Sequence, residues 1–308
     1  MSDHPQDHGP ERSILDRLSQ LLDRIGWLGI GAALLLNYVL GAGIARYLGA
    51  RLDFATLGLG FGVILSLFLA VRYLDRAFDL QIGVETLGRQ VFGFLPYRSA
   101  LLLAGAIFAA LTAALAVLLI ARGVLSGPTF ALLISSVILG FLYAVPPIRL
   151  SAAGFGELSI ALLLANLTPA FAFNLQFGEF HRLLAMVTAP LTFFALAMFI
   201  ILALPRYAQD IKYENHSLAT RMGWEQALST HNFLVIGGFA ILAMAGLFEL
   251  PNFILLPALL PLPLGIFQIF YLNRIANGIK PNWVGLRISA ASLLGLSTYL
   301  LAFAFWTH

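Results

Sequence analysis

Two stretches of this chain place carboxylates and guanidiniums together at helical spacing. Val71-Arg-Tyr-Leu-Asp75-Arg-Ala-Phe-Asp79 puts Arg72, Asp75 and Asp79 on one face of a helix. Leu204-Pro-Arg206-Tyr-Ala-Gln-Asp210-Ile-Lys-Tyr-Glu214 repeats the pattern in steps of four, with Arg206, Asp210 and Glu214 in line. Carboxylates on two helix ends suit a hard cation that also binds phosphate, because Mg²⁺ takes oxygen ligands and shares them between protein and substrate. The same residues also read as interfacial Arg–Asp pairs that only terminate two helices, and spacing alone leaves both readings open. A third stretch, Tyr143-Ala-Val-Pro146-Pro147-Ile-Arg149-Leu-Ser151 followed by Gly154-Phe-Gly156-Glu157, has a different character. Its prolines stop a helix and fix a turn, its glycines permit close approach, and Glu157 falls where a helix N-terminus favours an anion.

The elements that must position these residues are apolar. The chain has 308 residues, 60% hydrophobic and only 11% charged, where a soluble domain carries roughly a quarter. This excludes a cytosolic enzyme, a nucleic-acid-binding module and a disordered chain. With no cysteine, thiolate catalysis, disulfides and cysteine-ligated metals are excluded as well. Runs of about 20 apolar residues, the length that crosses a bilayer core, fall at roughly 27–48, 54–74, 99–121, 126–145, 155–175, 183–205, 230–248, 252–272 and 285–306. None alternates with period two, so the fold class is an all-α integral membrane bundle of nine helices rather than a barrel. Residues 1–26 read as a polar tail containing an amphipathic surface helix over Ser13–Ile25, and 27–308 as the transmembrane domain.

Nine crossings put the termini on opposite sides of the membrane. Of the 18 basic residues, Arg46, Arg51, Arg122 and Arg182 fall on one side, and the other 14 share the side of the N-terminus. The excess of Lys and Arg predicts a cytoplasmic N-terminus and a C-terminus outside. The two long loops, Asp75–Arg98 and Arg206–Ser229, lie on that same inner side, so the chemistry belongs there. Trp27, Trp283 and Trp306 fall at span ends and read as interfacial belt residues. Gly41-Ala-Gly43 and Gly58-x-Gly60-x-Gly62 read as close helix packing.

At the residues quoted above, the chain resembles the UbiA-type intramembrane prenyltransferase superfamily over nearly its whole length. Asn37 to Gly49 is similar to the family's opening segment. Tyr143 to Glu157 resembles the Tyr-x-x-Pro-Pro-x-Arg-x-x-x-x-Gly-x-Gly-Glu signature of the 1,4-dihydroxy-2-naphthoate polyprenyltransferase branch, and Ser217-Leu-Ala-Thr-Arg221-Met-Gly223 is similar to the tail of the second long loop. The resemblance implies transfer of a polyprenyl group from polyprenyl diphosphate to an aromatic, quinone-precursor acceptor. It implies Mg²⁺ held by two aspartate-rich motifs, with Asp75, Asp79, Asp210 and Glu214 as ligands, the three aspartates being also the catalytic set. Arg72, Tyr143, Arg149, Arg206, Lys212 and His216 are then the substrate-binding set, His216 standing where relatives carry a basic residue.

The chain departs from the family pattern at the chemistry. Val71 and Arg72 stand where the first motif has Asn and its leading Asp, and Arg206 stands where the second has its leading Asp. Each replacement of Asp by Arg changes the local charge by two units, so the pair matches the charge of two Mg²⁺ ions. Three readings follow. One is a prenyltransferase with a reduced metal site. A second is a protein whose Arg72 and Arg206 take the anionic head group directly, guanidinium forks being matched to phosphate oxygens. The third is a non-catalytic relative that binds an isoprenoid lipid or stabilises a membrane partner. A small-molecule transporter is the alternative from another class, with Asn37, Asn166 and Asn174 inside spans and Pro169 and Pro190 interrupting two of them.

Overall fold

A computed structural model describes residues 11–79, 90–91, 95–212 and 216–308, with side chains from residue 29 onward. Among these residues nine helical segments are long and apolar enough to cross a membrane: Gly29–Tyr47, Phe54–Phe78, Tyr97–Ala121, Gly127–Ala144, Gly156–Phe177, Arg182–Lys212, Trp224–Leu247, Asn252–Ala276 and Trp283–Thr307. They are numbered here as spans one to nine. The protein is a multi-pass integral membrane protein. The apolar runs found its spans because a helix satisfies its own backbone in lipid, where each unpaired amide costs several kcal/mol.

The ends differ from expectation at several spans. The backbone helix begins at Glu11 and continues into span one without the break expected after Ile25; the apolar stripe of Ser13–Ile25 lies outside the described side chains. Span two continues to Phe78, and span seven starts at Trp224 rather than near 230.

Burial sorts the bundle into inner and outer members. In span five 72% of the apolar stretch is buried, against 17% in span three, so span five is core and span three faces lipid. Span three exposes Leu103, Ile107, Val117 and Ile120, as a lipid-facing helix does. Span two packs along span three, span one along spans five and nine, and span six along span seven.

Side-chain hydrogen bonds tie these pairs at single points. Tyr38 Oη donates to the Leu57 carbonyl at 2.8 Å, Thr112 Oγ1 to Ser66 Oγ at 2.9 Å, and Thr129 Oγ1 to the Asn174 carbonyl at 3.0 Å. Such bonds average about 0.6 kcal/mol between membrane helices, so close packing carries most of the association. Gly41 shows how close: a Cβ there would run into the backbone of Pro169 on span five. Trp306 is half-buried at the end of span nine. Its indole N–H donates to the Val39 carbonyl at 3.0 Å, and the Arg46 guanidinium lies 5.3 Å from its ring centre. The pairing of spans one and nine explains that placement.

Span five is not one regular helix. A π-helical turn, Leu163–Leu167, separates Gly156–Leu162 from Thr168–Phe177. Pro169 has no N–H to give, and Thr168 Oγ1 donates to the Leu163 carbonyl at 2.7 Å, so the wide turn is satisfied internally. On the side of the long loops a two-stranded antiparallel hairpin, Gln90–Val91 with Leu95–Pro96, leads into span three.

Candidate functional site

The end of span two, the turn after span four, the start of span five and the end of span six meet around a cavity of about 290 Å³. Its polar wall is Arg72, Asp75, Tyr143, Ser151, Glu157 and Arg206, and its apolar wall is Ile30, Phe68, Val71, Ile160 and Phe199. The polar groups sit at the membrane face that carries the long loops. A second, smaller void of about 20 Å³ shares Phe68 and Val71 with the first and adds Leu34, Ile64, Leu67 and Leu163. From Asp75 to Ile64 is eleven residues of helix, so the wall passes from charged to mostly apolar, with the hydroxyls of Ser136 and Thr168, over about 16 Å.

The residues that hold the wall are local consequences of the sequence. Span four stops at Ala144, as Pro146 and Pro147 require. The chain then turns back, with the Leu150 and Ser151 amides donating to the Leu142 and Tyr143 carbonyls. This return brings Ser151 Oγ within 2.6 Å of Asp75 Oδ1, to which it donates, and Arg149 Nη2 within 3.8 Å of the same oxygen. Gly154, at φ +82, lets the Arg221 side chain pass against it. Arg221 lies 4.2 Å from the centre of the Phe155 ring and donates to the Ala153 carbonyl at 3.2 Å. Glu157 Oε2 accepts the Leu218 amide at 3.0 Å. The 149–157 turn and the 216–222 segment are therefore stitched together, with a bridge between Ala153 and His216 completing the seam.

Of the residues expected at the site, Arg72, Asp75, Tyr143 and Arg206 line the cavity, and Arg149 stands behind Asp75. Asp79 is not a wall residue, although it stands near enough to Asp75 to act on its charge. The helix ends at Phe78, and Asp79 caps it in an extended conformation. Asp210 is buried but is not a wall residue. A 3₁₀ turn at Leu204–Arg206 leads into the short helix Tyr207–Lys212 that carries Asp210. Lys212 and His216 are exposed, and Glu214 lies outside the described residues.

Among the described residues no three His, Asp or Glu side chains gather closely enough to hold a metal ion. Asp75 is already engaged by a hydroxyl and a guanidinium. Among the described residues the two aspartate-rich motifs thus bring no ready cluster of ligands together, Glu214 lying outside them.

Sequence reasoning missed the direct bond from Ser151 to Asp75 and the tie from Glu157 to Leu218. It also missed a buried pair away from the cavity, His231 with Gln268, whose ring nitrogen and amide oxygen are 3.2 Å apart. Both lie seven or eight residues from the same membrane face, His231 counted from Trp224 and Gln268 from Ala276. Equal depth on consecutive spans was the signal available. Asn37 and Asn174 donate to Ala33 and Ala170, one turn back on their own helices.

No curated protein matches the chain. Solved structures do. A UbiA homolog from Archaeoglobus fulgidus bound to Cd²⁺ aligns with 20% identity and a TM-score of 0.62, covering 91% of this chain and 97% of that one. The same homolog bound to GPP and Mg²⁺ aligns with a TM-score of 0.56 at 20% identity, over 91% and 98% of the two chains. A digeranylgeranylglyceryl phosphate synthase aligns at 14% identity with a TM-score of 0.64, over 90% and 92%. At these identities the likeness shows a shared fold. Residues 95–289 match the profile of the UbiA prenyltransferase family, and the chain belongs to that family.

Proposed function

We propose that the protein transfers a polyprenyl group from polyprenyl diphosphate to an aromatic, quinone-precursor acceptor. The observation that carries the reading is the cavity. It joins guanidinium, hydroxyl and carboxylate groups at one membrane face to an apolar floor beneath. An amphiphile with an anionic head and a hydrocarbon tail fits that gradient, and solved members of the fold carry GPP with Mg²⁺ or DMAPP with Mg²⁺. In the reaction the allylic C–O bond breaks, a bond to the acceptor forms, and the acceptor loses a proton while diphosphate leaves. Arg72 and Arg206 are placed to bind the leaving oxygens, Phe68, Val71 and Phe199 to receive the tail, and Tyr143 to orient what lies between them. Positive groups fixed where charge develops are the strongest contribution such a site makes. The resemblance of Tyr143–Glu157 to the dihydroxynaphthoate branch favours that acceptor, and the excess of basic residues places the site at the cytoplasmic face.

The test is product formation in proteoliposomes from labelled geranylgeranyl diphosphate and 1,4-dihydroxy-2-naphthoate, with other phenolic acceptors in parallel. Prenylated product supports the reading. A second reading, an isoprenoid-binding protein without transfer, is favoured by the engagement of Asp75 with Ser151 and Arg149. Saturable binding with no product from any acceptor would select it.

A further inference from the structure

We infer that the cavity takes the diphosphate of an isoprenoid ester directly on Arg72 and Arg206, with no divalent cation between protein and phosphate. The inference rests on the prenyl diphosphate reading above and concerns how that head group is held.

The cavity wall is balanced in charge rather than acidic. It sets two guanidiniums, Arg72 and Arg206, against two carboxylates, Asp75 and Glu157, with Arg149 behind Asp75 and with Asp79 and Asp210 near those acids. With carboxylates at 72 and 206 the same wall would hold four acids and one guanidinium, a field that attracts Mg²⁺. Moreover, both remaining acids hold up the wall. Asp75 accepts from Ser151 and pairs with Arg149, and Glu157 accepts the Leu218 amide. One oxygen of each, Asp75 Oδ1 and Glu157 Oε2, is engaged by the turn and the loop. Arg206 makes no hydrogen bond or ion pair with any described residue, although it lines the same cavity as Arg72. Two guanidiniums from different helices thus open into one partly enclosed space at the membrane face. A diphosphate satisfies both, because each fork takes two phosphate oxygens in its plane. The apolar floor then selects a phosphate ester with a hydrocarbon tail over free phosphate. An anionic phospholipid shares that chemistry, so the test separates the two.

The experiment is binding of fluorescent geranylgeranyl diphosphate to the full-length protein in nanodiscs of zwitterionic lipid, with excess Mg²⁺ or excess EDTA. The expected result is an affinity that EDTA does not weaken. Arg72→Gln and Arg206→Gln each weaken it by about tenfold or more, the scale of one lost charge-assisted hydrogen bond. Unlabelled geranylgeranyl diphosphate displaces the probe, and nanodiscs doped with phosphatidylglycerol do not. In parallel, electron paramagnetic resonance of Mn²⁺ added with unlabelled ligand shows no protein-bound metal in the native protein. The double variant Arg72→Asp, Arg206→Asp gains a bound Mn²⁺ signal and EDTA-sensitive binding. Loss of native binding in EDTA, or a tight Mn²⁺ signal from the native protein, overturns the inference and leaves the prenyl diphosphate reading standing. Absence of binding under both conditions overturns that reading and the inference with it. Displacement by phosphatidylglycerol as effective as by the diphosphate assigns the site to a lipid head group and overturns it too. The EDTA and Mn²⁺ arms use the native protein and do not depend on a variant folding.

Discussion

Ser151 is a short side chain with a structural task larger than its size. Its hydroxyl is the nearest polar atom to the Asp75 carboxylate, nearer than the guanidinium that pairs with it. The hydroxyl, held by backbone hydrogen bonds on either side of a proline turn, fixes the carboxylate, while the arginine at 3.8 Å supplies charge. Ser151→Ala removes a donor from a largely buried carboxylate and is expected to cost about 1–3 kcal/mol. A lowered unfolding midpoint in detergent, with helix content unchanged by circular dichroism, checks it. The glutamate of the same wall gives a sharper contrast. Glu157→Ala is expected to speed hydrogen exchange across residues 216–222, and Glu157→Gln, which keeps an oxygen acceptor, to leave it near the native rate. Equal rates in the two variants would show that the Leu218 amide is not held through this side chain.

At the scale of the element, glycines on apparently similar stripes do different things. Gly41 meets the backbone of Pro169, whereas Gly58 has nothing near the place a Cβ would occupy. Gly41→Ala must push spans one and five apart and is expected to cost about 1–3 kcal/mol, the usual penalty for overpacking. Gly58→Ala is expected to be neutral or slightly stabilising, because alanine is the better helix former. Unfolding midpoints of the two variants, measured side by side, check the pair. The sequence showed both stripes as packing faces and could not separate them, since a small residue announces that something fits closely without saying which position touches. The same limit governs the site. Apolar runs of about 20 residues made the spans readable to within a few positions, and charge at span ends brought Arg72, Tyr143 and Arg206 to one face. Neither Asp79 nor Asp210 lines the cavity, and spacing along one helix could not show which acids of a motif reach a wall built from four elements. The bonds from Ser151 and Glu157 cross 76 and 61 residues of chain, and no local pattern encodes a partner that far away.

For the whole molecule, the arrangement of nine crossings separates the two ends of the chain, and the proposed orientation sets which end meets the cytoplasm. The absence of native cysteine makes this directly measurable. Phe180 and Lys280 are exposed on connections at opposite faces of the bundle. Phe180→Cys is expected to react with a membrane-impermeant maleimide on intact cells, and Lys280→Cys only after the membrane is opened. The reverse pattern would invert the protein and move the cavity to the outer face. Burial also grades the bundle: span five, most buried, contributes Glu157, Ile160 and Leu163 to the cavities, while span three, least buried, contributes none of the wall. Variation on span three therefore meets lipid, and variation on span five meets ligand.

The seam between 149–157 and 216–222 makes two distant stretches of sequence into one unit of exchange. A chimera that imports the proline turn from another member of the family without the matching second segment would separate the Glu157 carboxylate from the Leu218 amide it accepts, and the Arg221 guanidinium from the Ala153 carbonyl and Phe155 ring it rests on. Each half would arrive with its partner missing. Transplanted together, the two segments carry their own fastenings, so exchange between members of the family has a natural cassette. Its two pieces lie some sixty residues apart in the chain and side by side in space.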